Sequence, residues 1–457
     1  MANTKKRLFA KITAFTLIFG VFAVFAFSGC GKTPDAPTTP TSEPPAHSQT
    51  DEPSETGQGT QESGRTRPRP TSPPEPEYST SPPQTHPLTR EFRDITATKL
   101  VSEIGIGWNL GNTLDAYHSA NPSVPMPWVN YDDMVDVEVA WIGGTRNLAT
   151  TPALIGRVKE AGFNAIRVPV TWYEMASEYP NFVIREDWLD HVQKIVDMAV
   201  ELGMYVIINT HHDEFIMRFD EPAKGERAVY QLWLQIAERF RDYNEKLIFE
   251  GLNEPRARTN EWNRNGQWDW NGYDAYFKTL NRWNQAFVDA VRSTGGNNTK
   301  RHLMLATYAA QSRPQQLHSL VLPTDPIEAN GTSRFILSVH TYSPFWWAHD
   351  GRGSYEGDEA IRNDLERVAD YAHQLGVPVI LGEWGSVRRN DHDQRVTHAN
   401  DYVRIATEMR NREKPVAMAC FWWDDQDEFR LIDRTRAQTD DNALEIIGAM
   451  LAGRGVG

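Results

Sequence analysis

The sequence has little cysteine and a deficit of basic residues. Only two of its 457 residues are cysteine, which is too few for a disulfide framework or a structural zinc cluster. Lys and Arg total 47 against 61 Asp and Glu, giving a net charge of −14. This balance excludes a general affinity for nucleic acid, because phosphate binding needs a basic surface. A mean hydropathy of −0.56 excludes a protein that spans the membrane many times.

The first 29 residues have the order of an export signal. Basic residues at positions 5, 6, 7 and 11 precede an apolar run of about 16 residues, which is short for the roughly 20 of a transmembrane helix. Phe27-Ser28-Gly29-Cys30 resembles the lipobox of bacterial lipoproteins, with Phe27 where Leu is usual. We therefore predict a signal peptide over residues 1–29 and a lipid on Cys30. An uncleaved anchor is the alternative.

A Pro-, Thr- and Ser-rich segment follows, over residues 30–91. Between positions 31 and 90 lie 14 of the 28 prolines and none of the 15 tryptophans. Such a segment has too few apolar side chains to offset its ordering entropy, so we expect a disordered, extended spacer. A Pro-rich ligand segment is the alternative. Together with Cys30, the spacer predicts an exported protein tethered to a membrane, with its remainder outside the cytoplasm.

Residues 92–457 alternate short apolar runs with amphipathic helical patterns. The apolar runs are 104–110, 164–170, 205–209, 246–251, 303–306, 335–339, 378–381 and 417–421, and helical patterns include 187–202, 229–243, 273–293 and 360–375. Eight such units predict a (β/α)8 barrel of buried parallel strands. A doubly wound sheet is the alternative, but no glycine-rich turn follows the first run.

Polar and aromatic residues follow the predicted strands, where a barrel carries its chemistry. The motifs are Gly107-Trp108-Asn109-Leu110-Gly111-Asn112-Thr113-Leu114-Asp115-Ala116, Gly162-Phe163-Asn164-Ala165-Ile166-Arg167-Val168-Pro169-Val170, His211-His212-Asp213, Asn253-Glu254-Pro255, His340-Thr341-Tyr342-Ser343-Pro344 and Gly382-Glu383-Trp384-Gly385. Glu254 and Glu383 end nearly opposite strands and can face each other across a cleft. Two facing carboxyl groups are what the cleavage of a glycosidic bond requires.

These motifs, in this order, resemble glycoside hydrolase family 5, a family of retaining (β/α)8 endo-glycanases. The similarity covers nearly all of residues 92–457 and is greatest to the endoglucanase and xyloglucanase branch. Two positions depart from that branch. Glu214 follows His-His-Asp where Gly is common, and Asp425 follows Asp424 where Asn is common.

The resemblance implies a role for each motif residue. Glu254 would be the general acid/base, which needs a raised pKa near neutral pH, and Glu383 the ionised nucleophile. Arg167 would keep Glu383 anionic, since a nearby cation favours a carboxylate; simple pairing of Arg167 with an acidic neighbour is the alternative. The residues implied to bind the substrate are Asn109, Arg167, His211, His212, Asn253, His340, Tyr342 and Trp423. Among these, Asn253 would hold the sugar 2-hydroxyl, Tyr342 would hydrogen-bond Glu383, and His340 would lie close to Glu254.

A metal ion is the main alternative use of His211 and His212. Adjacent residues on a strand point to opposite faces, so we expect the two rings not to share an ion. We accordingly expect no metal and no cofactor. By the same alternation Trp422 should face outward and Trp423 the site. Further tryptophans that could stack on sugars are Trp262, Trp268, Trp270, Trp346 and Trp347.

The function predicted from the sequence is endo-hydrolysis of β-1,4-linked glucan with retention of configuration. The expected partners are a β-glucan and, through the lipid, a membrane, with no nucleic acid and a monomeric barrel. A xyloglucanase, a mannanase or a xylanase could use the same residues. A catalytically dead glycan-binding protein is the alternative from another class. An esterase would need a Gly-x-Ser-x-Gly motif, which the sequence lacks.

Overall fold

A computed structural model describes residues 91–117, 129–142, 144–257 and 273–455. The chain divides into a unit of residues 1–79 and a unit of residues 80–457, and all described residues belong to the second. The predicted signal peptide, Cys30, the spacer up to residue 90, and Trp262, Trp268 and Trp270 lie outside the described residues. Within those ranges, no helix has both the length and the apolar character needed to cross a bilayer.

Eight parallel strands close into a barrel in chain order. The strands are β1 (Ile106–Asn109), β2 (Ala165–Val168), β3 (Tyr205–Asn209), β4 (Leu247–Glu250), β5 (Leu303–Ala306), β6 (Phe335–His340), β7 (Val379–Trp384) and β8 (Met418–Trp422). Each strand pairs with the next, and β8 pairs with β1. The predicted (β/α)8 barrel is therefore confirmed. The largest difference is β7, which extends three residues beyond the predicted run.

Helices lie between the strands. They are α1 (Ala97–Glu103), α2 (Met134–Glu138), α3 (Pro152–Glu160), α4 (Glu186–Glu201), α5 (Pro222–Arg239), α6 (Tyr273–Ser293), α7 (Pro314–Ser319), α8 (Phe345–Ala348), α9 (Glu359–Leu375), α10 (His392–Glu408) and α11 (Asp441–Gly453). Short 3-10 turns cover Arg146–Leu148, Tyr173–Met175, Gly296–Thr299, Tyr308–Ala310 and Glu328–Asn330, and an antiparallel pair, β9 (Ile432–Asp433) and β10 (Gln438–Thr439), follows β8.

Strand alternation separates two apolar layers. Alternate strand residues point outward and pack against the helices. The inward residues form a second cluster that fills the barrel: Ala165, Tyr205, Ile207, Ile248, Met304, Ile336, Ile380, Ala419 and Phe421. Helix α1, which leads into β1, adds Leu100 and Val101 to this inner cluster. It covers the amino-terminal end of the barrel and leaves the opposite end for the site.

The last inward positions of several strands are polar, although they are fully buried. They are Asn109, Arg167, Asn209 and Glu250, and Ser338 on β6, one inward position before His340, is buried with them. Because the strands are parallel and in register, these side chains come together in one layer at the carboxyl end of the barrel. Buried polar groups need partners within the protein. The layer therefore forms a hydrogen-bonded platform directly beneath the predicted catalytic residues.

Candidate active site

Arg167 is the centre of this platform. Its Nε donates to Glu250 Oε2 at 2.7 Å, and its Nη1 donates to Glu383 Oε1 at 2.8 Å. Nη1 also donates to Asn109 Oδ1 at 3.0 Å, and Nη2 donates to Asn253 Oδ1 at 2.7 Å. Burial alone disfavours the cation, but the two carboxylates outweigh it and raise the pKa of Arg167 above its usual value. Arg167 is therefore a permanent cation shared by two acidic side chains.

A bulge in β7 directs Glu383 into the site. In the pairing of β6 with β7, Val339 lies opposite Leu381 but His340 lies opposite Glu383, so Gly382 is an extra residue. Without the bulge, Gly382 rather than Glu383 would hold the inward position, because side chains alternate along a strand. A Cβ on Gly382 would lie 2.9 Å from His340 Nε2, which is too close. Glycine at position 382 therefore lets Gly382 and Glu383, two consecutive residues, both face the barrel mouth.

Glu254 and Glu383 face each other across His340. His340 Nδ1 lies 2.9 Å from Glu254 Oε1 and 3.7 Å from Glu383 Oε2. The Tyr342 hydroxyl donates to Glu383 Oε2 at 3.1 Å. One oxygen of each carboxylate and one nitrogen of His340 all lie within 4.8 Å of one another. An oxygen-to-oxygen distance of at most 4.8 Å is close to the about 5–5.5 Å between the carboxyl groups of retaining glycosidases and shorter than the roughly 6.5–9.5 Å of inverting ones.

The contact between His340 and Glu254 favours a proton on His340. Burial on its own would raise the pKa of Glu254, but the hydrogen bond and positive charge of His340 lower it to about 2. Burial disfavours a charged His340, yet Glu383 and Glu254 outweigh this and raise the pKa of His340 above 6.5. The raised pKa that the sequence led us to expect for Glu254 is therefore wrong for this arrangement. The reason is that a cationic hydrogen-bond donor lies 2.9 Å from its carboxylate.

His211 is held in a buried pocket by amide groups. Its Nδ1 lies 3.2 Å from Asn209 Nδ2, and its Nε2 lies 3.3 Å from Asn253 Nδ2. Burial lowers the pKa of His211 well below 6.5, so the ring is neutral. His211 Nε2 also lies 3.8 Å from Asp115 Oδ2, and burial raises the pKa of that carboxyl.

The expectation that His211 and His212 point to opposite faces is wrong. Strand β3 ends at Asn209, so both histidines follow the strand and strand alternation does not govern them. Their ring centroids are 4.4 Å apart. A nitrogen of each ring and an oxygen of Asp115 lie within 4.8 Å of one another. The geometric argument against a shared ion therefore fails, and the absence of a metal stays a prediction.

Trp423 forms one wall of the site. Its ring is nearly parallel to that of His211, at 6° and a centroid distance of 6.0 Å. A Cβ on Gly111, in the loop after β1, would lie 2.7 Å from the Trp423 ring. The absence of a side chain at Gly111 therefore leaves room for this ring. Trp422 is fully buried and its Nε1 donates to the Phe429 carbonyl at 2.8 Å. Trp422, the last residue of β8, thus faces outward, and Trp423, just beyond the strand, faces the site.

An aromatic row leads from Tyr342 to the surface. The ring of His349 lies 5.3 Å from that of Tyr342 and stacks on Phe345 at 4.8 Å. Phe345 and Trp346 are 49% and 57% exposed, whereas Trp347 is only 3% exposed. Phe345 and Trp346 can therefore present ring faces to a polymer, and Trp347 cannot.

Sequence reasoning missed Glu250 and Asn209. Glu250 accepts hydrogen bonds from Arg167, from Ser338 Oγ at 2.7 Å and from Asn209 Nδ2 at 3.1 Å. Neither residue belongs to the motifs that carried the functional prediction. The available signal was a carboxylate at an inward position at the end of the apolar run Leu247–Glu250. Such a residue must have a buried partner.

Comparison with known proteins agrees with this geometry. Residues 126–428 match the model for Cellulase (glycosyl hydrolase family 5). The chain is 36% identical over 383 residues to Cellulase/esterase CelE of Acetivibrio thermocellus, covering 81% of this chain and 42% of that protein. It is 36% identical to Endoglucanase B of Ruminococcus albus, covering 75% of each chain. The chain thus spans less than half the length of CelE.

Solved structures are similar over the whole barrel. The GH5-4 broad specificity endoglucanase from Ruminococcus champanellensis with bound cellotriose is 34% identical, with a TM-score of 0.69, covering 79% of this chain and all of that one. A GH5 family lichenase from Caldicellulosiruptor sp. F32 is 35% identical, with a TM-score of 0.67, covering 81% of this chain and 99% of that one.

Replacing Gly382 should damage the site more than the fold. In Gly382→Ala the added Cβ must displace His340 or undo the bulge, so both carboxylates lose their placement. We expect glycan hydrolysis to fall about 100-fold, the order of loss from a misplacement of about 1 Å. The control is Gly448→Ala on α11, where a Cβ meets nothing within 4 Å. Equal specific activities of the two variants, measured as reducing ends released, would contradict this role for Gly382.

Proposed function

The chain belongs to glycoside hydrolase family 5, and from that premise we propose that it is an endo-β-1,4-glucanase acting on cellulose-like glucans with retention of configuration. The observation that carries the proposal is the pair of facing carboxylates, Glu254 and Glu383, with oxygens within 4.8 Å. One carboxylate is paired with Arg167 and the other with His340. Arg167 cannot give up its proton and His340 can, so the two partners give otherwise equivalent glutamates different chemistry.

Glu383 is the nucleophile in this proposal. Arg167 and Tyr342 hold its two oxygens, so one carboxylate oxygen is aimed at the anomeric carbon. Attack forms a covalent glycosyl ester while the bond from the anomeric carbon to the glycosidic oxygen breaks. Glu254 protonates the departing oxygen. Water then attacks the anomeric carbon, gives its proton to Glu254, and releases Glu383 as a carboxylate.

His340 supplies and recovers the proton. In the free site its Nδ1 lies 2.9 Å from Glu254 Oε1, and a proton on this nitrogen would donate to that oxygen. Transfer of this proton to Glu254 leaves a neutral imidazole and a carboxylic acid that can donate to the leaving oxygen. After the attack of water, the proton taken up by Glu254 returns to His340. The pair therefore holds one proton at the start and at the end of each cycle.

The aromatic surfaces support a polymeric substrate. Flat rings pack well against the apolar faces of sugar rings. Trp423 offers such a face beside His211, and the exposed pair Phe345 and Trp346 offers another beyond Tyr342. We assign the first to the reacting sugar and the second to an outer subsite. Similarity to broad specificity endoglucanases and to a lichenase favours β-glucans, with xyloglucan, mannan and xylan as alternatives.

We expect Glu383→Ala to abolish hydrolysis of every polysaccharide without unfolding the barrel, because no other group can form the glycosyl ester. Glu254→Ala should still cleave glycosides whose leaving groups need no protonation, and azide should rescue its slow second step. The measurement is reducing ends released from carboxymethyl cellulose, xyloglucan, lichenan, galactomannan and xylan. Glu413→Ala, on the exposed surface, is the control. Near wild-type rates in both active-site variants would rule out the assignment.

The His340–Glu254 pair predicts a specific pH dependence. The raised pKa of His340 means that the shared proton is lost only above pH 6.5, which sets the basic limb of kcat/KM. In His340→Asn the proton must reside on Glu254 itself, whose ordinary pKa is 4.5. The basic limb should therefore move to lower pH. His392→Asn, a surface variant, is the control, and an unmoved limb in His340→Asn would refute this arrangement.

We further propose that the enzyme is a lipoprotein exported and tethered through Cys30. The supporting features are the export signal, the lipobox-like Phe27-Ser28-Gly29-Cys30, and a spacer that lets a tethered barrel reach large glucans. The full-length protein should partition with membranes, and Cys30→Ser should release or misprocess it. A chain beginning at Phe92 should remain soluble and fully active on soluble glucans. Wild-type protein found free in the medium with another N-terminal residue would exclude the tether while leaving the glucanase proposal intact.

A further inference from the structure

Glu250 is a buried carboxylate that the steps above do not use. It has no exposed surface and lies at the end of β4, in the polar layer beneath the site. Arg167 Nε donates to it at 2.7 Å, Ser338 Oγ at 2.7 Å and Asn209 Nδ2 at 3.1 Å. A side chain enclosed in this way cannot touch a sugar. Its influence on the reaction must pass through the groups that it holds.

The most important of these groups is Arg167, because Glu250 and Glu383 share its charge. Glu250 binds Nε and Glu383 binds Nη1, so the guanidinium lies between two anions. We propose that Glu250 is a positioning residue that keeps Arg167 charge-compensated while Glu383 is a glycosyl ester. The inference rests on the proposed double-displacement reaction and identifies a residue on which its covalent step depends.

The charge count through the cycle supports this role. Before attack, one cation lies between two carboxylates. When Glu383 becomes an ester it loses its charge, and Arg167 and Glu250 remain as a neutral buried pair. Without Glu250, esterification would leave an uncompensated buried cation, which is strongly unfavourable. Before attack, Arg167 would also interact with Glu383 alone and hold it more firmly as a carboxylate, making it a poorer nucleophile.

Glu250 also faces the rear of His340. His340 Nε2 lies 4.0 Å from Glu250 Oε1 and, among the described residues, has no hydrogen-bond partner. The charged and titratable groups around Glu383 come from three strands and the loops after them. Strand β2 supplies Arg167, β4 and its following loop supply Glu250 and Glu254, and β6 and its following loop supply His340 and Tyr342. Glu250 is the carboxylate of this set that takes no part in bond formation or proton transfer in the proposed cycle.

The decisive variant is Glu250→Gln, which keeps the shape and removes the charge. With 2,4-dinitrophenyl β-cellobioside, whose leaving group needs no protonation, kcat/KM reports formation of the ester. We expect it to fall roughly 10- to 100-fold, the order expected for leaving a buried charge unpaired. Hydrolysis of the ester should not slow, because it returns a negative charge to Glu383 beside Arg167, so a wild-type burst of dinitrophenolate should shrink. The acidic limb of kcat/KM should move to lower pH, because one anion fewer opposes ionisation of the nucleophile.

Two further variants separate charge from packing. Ser338→Ala removes a hydrogen bond to the same carboxylate without changing charge, and should leave the acidic limb where it is. Glu250→Asp keeps the charge and should retain the burst and the limb. If thermal unfolding shows that Glu250→Gln does not fold, a lost burst and a shifted limb in folded Glu250→Asp would overturn the role of charge. The same pH shift in Glu250→Asp as in Glu250→Gln would contradict a role of charge.

The outcomes distinguish this inference from the proposed function. A wild-type protein that hydrolyses the cellobioside, together with a folded Glu250→Gln variant that keeps its burst and its acidic limb, would overturn the role of Glu250 alone. A wild-type protein that leaves both the cellobioside and the polysaccharides intact would overturn the proposed function and this inference with it.

Discussion

The architecture of the site depends on one buried guanidinium. Arg167 has no contact with solvent, and a buried cation is tolerated only when it is paired and its donors are satisfied. Its hydrogen-bond partners come from β1, β4, the loop after β4, and β7. Because the guanidinium of Arg167 must be hydrogen-bonded, it fixes the relative positions of its four partners across the barrel mouth: Asn109, Glu250, Asn253 and Glu383.

The two carboxylates that we propose as catalytic differ in their exposure as well as in their partners. The Glu383 side chain is 8% exposed and the Glu254 side chain 31%. A nucleophile needs a fixed direction and protection from water until it has reacted, which the buried position beside Arg167 supplies. An acid/base must contact the leaving oxygen and then the incoming water, and a partly exposed carboxylate can reach both.

The barrel could be predicted from the sequence because its signal is local. Apolar runs of strand length alternate with helical patterns, and two strands, β3 and β5, have the predicted bounds. The end of β7 was missed because its last residues, Gly382, Glu383 and Trp384, interrupt the apolar run. The bulge depends on the register between β6 and β7, a tertiary relation without a local pattern. The start of α5 at Pro222 was missed because its first turns are polar.

Less of the candidate site than of the barrel could be predicted from the sequence. Motifs at strand ends identified the side chains that face the cleft, because these residues are close together in the sequence and can be compared directly with a family pattern. They did not identify Glu250, which lies within an apolar strand, nor the location of the proton on His340. Both depend on side-chain contacts across the barrel among β2, β4 with the loop after it, and β6, which are distant in sequence. The pKa of Glu254 is set by which of two opposing effects is larger, burial or the cation beside it, and only the 2.9 Å contact with His340 decides between them.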